Sequence, residues 1–363
     1  MPEEKLRRQQ SGRANASPTL EDVAQRAGVS TATVSRCLNA PERVSEATRK
    51  QVLEAVNLLG YAPNFGARAL AAKRTDTFGA IIPTMENAIF ARGLQAFQEE
   101  LEQNGITLLV SSSSYSPQLE EKQIRALIAR GADALLLIGH DRTPQSYALL
   151  ESKGIPHVIA WSIDHSIPRT SIGFDNRKAM RMLAEEILKL GHRELAVISA
   201  PQDGNDRARE RCQGVIDALI QYDLNPADLP IIETPYSISN GADAFQTLFQ
   251  SRNRPTAVLC GNDVLAAGAL SRARELGLRV PEDISITGFD DIEIAQIVSP
   301  GLTTVHVPHR KMGMHAARLL VAMRNGEYGE TPAESLELPA TITWRDSLGP
   351  VALRETKDLP QDR

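Results

Sequence analysis

Apolar and polar positions follow two different periods along the chain. Near the N-terminus the period is helical. Leu20, Val23, Ala24 and Ala27 fall on one face, Val34 and Leu38 on a second, and Val52, Leu53, Val56 and Leu59 on a third. The polar punctuation agrees. Thr19 and Asp22 form a capping box, Gly28 supplies a tight turn, and Ser30 and Ser45 can cap the second and third helices. Two short helices across a glycine turn, followed by a third, predict a helix-turn-helix whose second helix enters the DNA major groove.

Beyond residue 75 the pattern changes. Short apolar runs at 78–82, 107–110, 134–138, 157–160, 195–198, 257–260 and 284–288 read as buried strands. Between them lie amphipathic stretches at 90–103, 119–129, 178–189, 211–222, 242–250 and 263–275. Such alternation predicts an α/β body of doubly wound parallel sheets with helices on both faces. The pattern runs twice, with a break near 160–175, which predicts two lobes and a cleft between them. Ligands in such folds sit beyond the carboxyl ends of the strands. Gly105, Gly154 and Gly277 are placed to end helices.

Residues 60–74 fit neither pattern. Pro63 can open a helix, but the two turns that follow are too short to be stable alone in water. Arg68, Lys73 and Arg74 are basic, and Leu70 has little to pack on. A short basic helix with one unpartnered Leu suits a minor-groove wedge, although a plain linker has the same composition. Charge separates the two parts. Residues 1–75 hold 12 Lys+Arg against 7 Asp+Glu, and the remainder 28 against 38, so a head of +5 joins a body of −10. A basic head on an acidic body directs the head to a polyanion. The whole-chain net of −5 hides this.

The run from Thr19 to Thr75 resembles the lactose/purine repressor (LacI/GalR-type) family of bacterial transcription regulators. The residues that carry the resemblance are LEDVAQRAGVS, ATVSR, LNAPERVSEATR and the YAPN–AR–L hinge. It continues through the body to residue 348 in GFDNRKA (173–179), CGNDVLAAGAL (260–270), RVPEDISITGFDD (279–291) and PGLTTVHVP (300–308). It is closest to the gluconate-type repressors, on 82–95, 115–124 and the Arg-rich segment 206–211. Those members tend to carry His where this chain has Asp290. The resemblance implies a periplasmic-binding-protein fold used as an effector domain. It also implies a homodimer on a pseudo-palindromic double-stranded DNA operator, and a sugar or sugar-acid effector that changes operator affinity. The expected organisation is a disordered basic arm (1–18), a helix-turn-helix domain (19–62), a hinge helix (63–75), a two-lobed body (76–348) and a flexible tail (349–363).

For DNA contact the candidates are Thr31, Ala32, Thr33, Ser35 and Arg36 on the second helix, with Asn64, Arg68 and Leu70 on the hinge. Small residues let a helix lie close to base edges, and an Arg can fork onto guanine or grip a phosphate. By resemblance Leu70 levers the central base step. For the effector the candidates are Phe90, which opens the first long helix of the body, and residues that follow strands or precede helices: His140, Trp161, Asp175, Arg207, Arg211, Tyr236, Asn262 and Asp290. Aromatic faces, planar polar groups and an Arg clamp are what a sugar-acid site needs. Positions 207, 209 and 211 cannot share one helix face, so Arg207 and Arg211 are favoured over Arg209. Asp175 and Asp290 can equally cap the helices that follow them.

Motifs for other functions are missing from the sequence. There is no phosphate-binding glycine loop, no nucleophile elbow and no metal-ligand cluster, so neither a catalytic role, a cofactor nor a metal is expected. Cys37, Cys212 and Cys260 lie far apart and suggest no disulfide framework. With no apolar run near the ~20 residues of a membrane span and no signal-like N-terminus, the chain reads as cytoplasmic. The same fold class also serves solute-binding proteins and sugar-metabolising enzymes, but nothing in those readings uses a basic DNA-reading head.

Overall fold

A computed structural model describes residues 17–62, 74–86, 88–328 and 334–351 of the 363-residue chain. The expected basic arm, the hinge helix with Asn64, Arg68 and Leu70, and the tail beyond Val351 lie outside the described residues. The chain divides into two units at Thr75/Asp76.

The first unit is built on α1 (Leu20–Ala27), α2 (Thr31–Asn39) and α3 (Glu46–Leu59). Thr19 caps α1 through the full capping box with Asp22, and Gly28 ends it at φ 63°. Ser30 accepts from the Thr33 N–H to start α2, and Ser45 accepts from the Thr48 N–H to start α3. The small core comprises Val23, Ala24, Ala27, Val34, Cys37, Val52 and Ala55. One expectation needs correction. Leu53 is 40% exposed, and Ala55 takes its place in the core. The buried face of α3 runs through Val52, Ala55, Val56 and Leu59, and Leu53 lies one helical step, about 100°, off it.

The second unit holds two six-stranded sheets. In the first lobe the elements are β1 (Thr77–Ile82), α4 (Ala88–Gln103), β2 (Thr107–Ser112), α5 (Pro117–Ala129), β3 (Ala134–Ile138), α6 (Pro144–Ser152), β4 (His157–Ala160) and β5 (Ser171–Gly173). The second lobe begins with α7 (Asn176–Lys189), β6 (Leu195–Ser199), α8 (Asp206–Gln221), β7 (Ile231–Glu233), α9 (Ile238–Gln250) and β8 (Ala257–Cys260). It continues with α10 (Asp263–Glu275), β9 (Ser285–Asp290), α11 (Ile294–Ile297) and β10 (Thr303–His306). The chain then returns. The helix α12 (His309–Arg324) packs on α4 of the first lobe, and β11 (Leu336–Glu337) pairs with β5. Finally β12 (Thr341–Thr343) pairs antiparallel with β10 in the second lobe.

The sheet orders are β11-β5-β4-β3-β1-β2 and β12-β10-β9-β8-β6-β7, parallel except for the β10–β12 pair. Strands β1, β3, β6, β8 and β9 are buried along their whole length, as strands covered on both faces must be. The two lobes are therefore connected three times: after β5, after β10 and after β11. Hydrophobic periodicity shows the lobes but not this interleaving, because each return is carried by a strand of two to four residues. The body also extends past the expected boundary. The Gly349 carbonyl accepts from His192 Nε2 at 2.9 Å, and the Val351 N–H donates to the Leu190 carbonyl.

Candidate functional site

On the first unit, α2 presents Thr31, Ala32 and Arg36 to solvent, with Thr33 and Ser35 half-buried beside them. The Thr33 hydroxyl lies 2.9 Å from Ser30 Oγ, so it belongs to the helix cap as well as to the surface. A helix whose core side is Val34 and Cys37 and whose outer side is two small residues and an Arg can lie close to a duplex.

In the second unit, the loops after the strands cap the helices that follow. Ser116, Thr143, Asp175, Asn205, Ser237 and Asn262 each accept from a backbone N–H in the first turn of a helix. This gathers polar side chains at the carboxyl edges of both sheets. Between the lobes lies a narrow pocket lined by Ile89, Phe90, Tyr115, Trp161, Phe174, Asn205, Arg207, Arg211, Tyr236 and Asp290. Six of the nine effector candidates meet here. His140, Asp175 and Asn262 are not among its lining residues.

Each of those three has other work or another place. Asp175 Oδ1 accepts from the Lys178 N–H at 2.9 Å as the cap of α7. Asn262 Oδ1 accepts from the Leu265 N–H at 2.9 Å as the cap of α10, leaving its buried Nδ2 without a partner. The His140 ring is held below its ordinary pKa by burial, and neither ring nitrogen has a hydrogen-bond partner. Four lining residues escape sequence reasoning: Ile89, Tyr115, Phe174 and Asn205. Tyr115 follows Ser114, and both have left-handed backbones (φ 59° and 50°). Adjacent non-glycine residues in that region mark a constrained loop. The serine-rich text around them signals only a strand-to-helix turn.

The walls divide by chemistry. Phe90 meets Trp161 edge to face at 5.7 Å. Tyr115 from the first lobe faces Tyr236 from the second at 6.1 Å. Burial raises both phenol pKa values, so both remain O–H donors. Arg207 and Arg211 point inward from one face of α8, while Arg209 points outward to Asp141, with both Nη–O distances 2.8 Å. Arg207 Nη1 donates to Asp206 Oδ1 at 2.7 Å. Arg211 donates to the carbonyls of Arg207 and Gly261 and stacks 4.4 Å over Phe289. Burial pushes the Asp290 carboxyl up to about 7 against the pull of Arg211 and Arg207. Its Oδ2 is buried without a hydrogen-bond partner. Two guanidinium groups, two phenols and a carboxyl oxygen without a partner, set among aromatic walls, suit a small polar molecule. Among the described residues no His/Cys/Asp/Glu cluster could hold a metal, and no helix is long and apolar enough to cross a membrane.

Comparison with known proteins follows the same division. Residues 19–64 match the family model for bacterial regulatory proteins of the lacI family, and residues 184–348 match a periplasmic binding protein-like domain. The HTH-type transcriptional regulator GntR of Escherichia coli K12 is 32% identical over 326 residues, covering 90% of this chain and 97% of that protein. The crystal structure of a LacI-family transcriptional regulator from Silicibacter pomeroyi superposes with a TM-score of 0.83 at 29% identity, covering 92% of this chain and 99% of that one. The lac repressor dimer bound to operator and the anti-inducer ONPF gives 0.81 at 28% identity, covering 92% and 100%. Head, two-lobed body and similarity over nearly the full length agree: the chain belongs to the lacI family of bacterial regulatory proteins and is a DNA-binding transcription regulator.

Proposed function

We propose that this chain acts as a homodimeric repressor, with no catalytic role, whose operator affinity is set by a small sugar or sugar acid held between the lobes. The observation that carries this reading is the pair of buried inward-facing arginines, Arg207 and Arg211, opposite aromatic walls and a carboxyl with an unspent oxygen. Guanidinium pairs bind carboxylates and vicinal hydroxyls, and aromatic faces pack on C–H surfaces. The effector contacts are assigned to Phe90, Tyr115, Trp161, Asn205, Arg207, Arg211, Tyr236 and Asp290.

The head reads DNA through Thr31, Ala32, Thr33, Ser35 and Arg36, with Asn64, Arg68 and Leu70 acting from the hinge segment. Two heads one duplex turn apart read a pseudo-palindrome. The protein works where the DNA is, in the cytoplasm. A ligand shifts operator affinity only by its different affinity for the two lobe arrangements.

The test is thermal denaturation of the full-length protein against C4–C7 aldonic acids and their parent aldoses, repeated on Arg211→Met. Stabilisation of the wild type by an acid, lost in the variant, supports the assignment. Stabilisation that persists in the variant places the ligand elsewhere.

A further inference from the structure

We propose that Asp206 is the positioning residue that ties occupation of the cavity to closure of the two lobes. The inference rests on the cavity being the effector site.

Asp206 is the first residue of α8, in the second lobe. Its carboxylate spans three partners, among them the side chain of Ser162, which follows β4 in the first lobe. Oδ1 accepts from the cavity-lining Arg207 at 2.7 Å, and Oδ2 accepts from the backbone N–H of His140 at 2.7 Å. His140 belongs to the loop after β3, in the first lobe. One buried carboxylate therefore connects a ligand-facing guanidinium to the main chain of the opposite lobe. Burial works to raise the Asp206 pKa, but the Arg207 charge and the His140 N–H prevail and hold it below its ordinary value. The link is thus ionised at neutral pH.

The loop it grips is firmly held on its own side. Arg142, with a fully buried side chain, donates to the Gly139 carbonyl at 2.8 Å and pairs with Glu120 at 3.2 Å. Tyr147 Oη donates to the His140 carbonyl at 3.2 Å. Gly139 itself has φ 70°, and a Cβ there would lie 1.8 Å from Arg207 Nη1 and 2.3 Å from Asp206 Oδ1. Only a glycine lets the loop come this close. Arg209 completes the contact on the outside through Asp141. A ligand anion on Arg207 competes with Asp206 for that guanidinium. It thereby changes the hold of Asp206 on His140, a contact that forms only when the lobes are together.

The test is hydrogen exchange by mass spectrometry on the full-length protein, wild type against Asp206→Asn and Arg207→Gln. Asparagine keeps the shape but removes the charge and one acceptor. The expected result is exchange about tenfold faster in the segment 138–143, with peptides from 19–62 and 257–275 unchanged. Arg207→Gln should give the same response, although the substitution is in the other lobe. It serves alone if Asp206→Asn fails to fold. Unchanged exchange at 138–143 in the folded variants overturns the proposal, and so does a uniform rise across the body, which marks a merely structural residue. An aldonic acid that stabilises the wild type should alter exchange at 138–143 there and not in Asp206→Asn. If no acid binds the wild type, the ligand reading fails, while exchange in the ligand-free variants still decides the role of Asp206.

Discussion

The indole N–H of Trp161 donates to His309 Nδ1 at 3.0 Å, and this one bond fixes the protonation of a buried histidine. Indole is a donor only, so Nδ1 must be the bare nitrogen and Nε2 carries the proton. Nε2 then donates to the Asp290 carbonyl at 3.2 Å. Trp161 follows β4 in the first lobe, His309 opens α12 after the second connection, and Asp290 ends β9 in the second lobe. The bonds run from lobe to lobe behind the cavity wall. Trp161 is held with a left-handed backbone (φ 62°), its N–H bonded to the Ile172 carbonyl and its carbonyl accepting from Asn176 Nδ2. Its strained conformation is thus fixed from both sides.

Two groups in this assembly should give opposite pH slopes to stability. Burial lowers His309 from 6.5 to about 4, so the unfolded chain takes up the proton first as pH falls. Its stabilising effect is present above about 6.5 and is lost towards pH 4, about 2 kcal/mol being gone by pH 5. Asp290 is raised from 3.8 to about 7, so the folded state holds the extra proton. That contribution is present below about 4 and is lost as pH rises to 7, on the order of 2–4 kcal/mol. Between pH 4.5 and 6.5 the two slopes oppose each other. Urea unfolding across that range should show Asp290→Asn gaining stability relative to the wild type as pH rises. His309→Gln should gain relative to the wild type as pH falls. Parallel curves for the three proteins would refute both assignments.

His309 also predicts a packing penalty. His309→Phe leaves the buried Trp161 N–H without an acceptor, a loss of about 1–3 kcal/mol. The measurement is the urea midpoint at pH 7.5, where the histidine is neutral. His309→Gln keeps an acceptor and should recover much of the loss. An equal loss in both variants would show that ring packing, and not the hydrogen bond, sets the cost.

How far the sequence reveals all this depends on the feature. Strands 134–138, 157–160 and 257–260 and the helix 263–275 match their observed bounds, because a buried run or an amphipathic face is strictly local. Helix α8 starts at Asp206, five residues before the expected 211, since its first turn is polar and carries no apolar period. Residues after a strand end can face the cavity or cap the next helix. For Asp290 the cavity prevails, whereas for Asp175 and Asn262 the cap does. Tyr115 obeys that rule, since it follows β2 within the first lobe, but its serine-rich text signals only a turn. His309 is invisible to the rule, because it opens a helix on the far side of a lobe connection. Only the interleaved topology brings it to the site.

Glycines here serve two purposes that substitution separates. Gly313 on α12 lies against Gly93 on α4, and a Cβ on Gly313 would stand 1.9 Å from the Gly93 carbonyl oxygen. Backbone cannot retreat as a flexible side chain can, so Gly313→Ala must force the helices apart at a cost of about 1–3 kcal/mol or more. Gly277, at φ 75°, has nothing within 4 Å of such a Cβ. Its replacement by Ala meets only backbone strain, about 1 kcal/mol. The ordering of melting temperatures, Gly313→Ala below Gly277→Ala below wild type, is the check. The reverse order would mean that the α4–α12 contact is looser than described.

Arg36 is the strongest test of the head. It is exposed on α2, in the same turn as the buried Val34 and Cys37 that anchor the helix from behind, so its removal should leave the fold intact. A guanidinium on a guanine edge contributes about 1–3 kcal/mol of discrimination at one base pair. Arg36→Ala should then bind an operator obtained by sequence selection about 5- to 150-fold more weakly. It should also lose its preference at a single symmetric position. Circular dichroism should be unchanged. If binding weakens equally on every sequence and the slope of log affinity against log salt falls by about one, Arg36 grips a phosphate instead. Base reading would then rest on Thr31 and Ala32, whose methyl groups can meet thymine, and substitutions there should relax specificity without changing the salt slope.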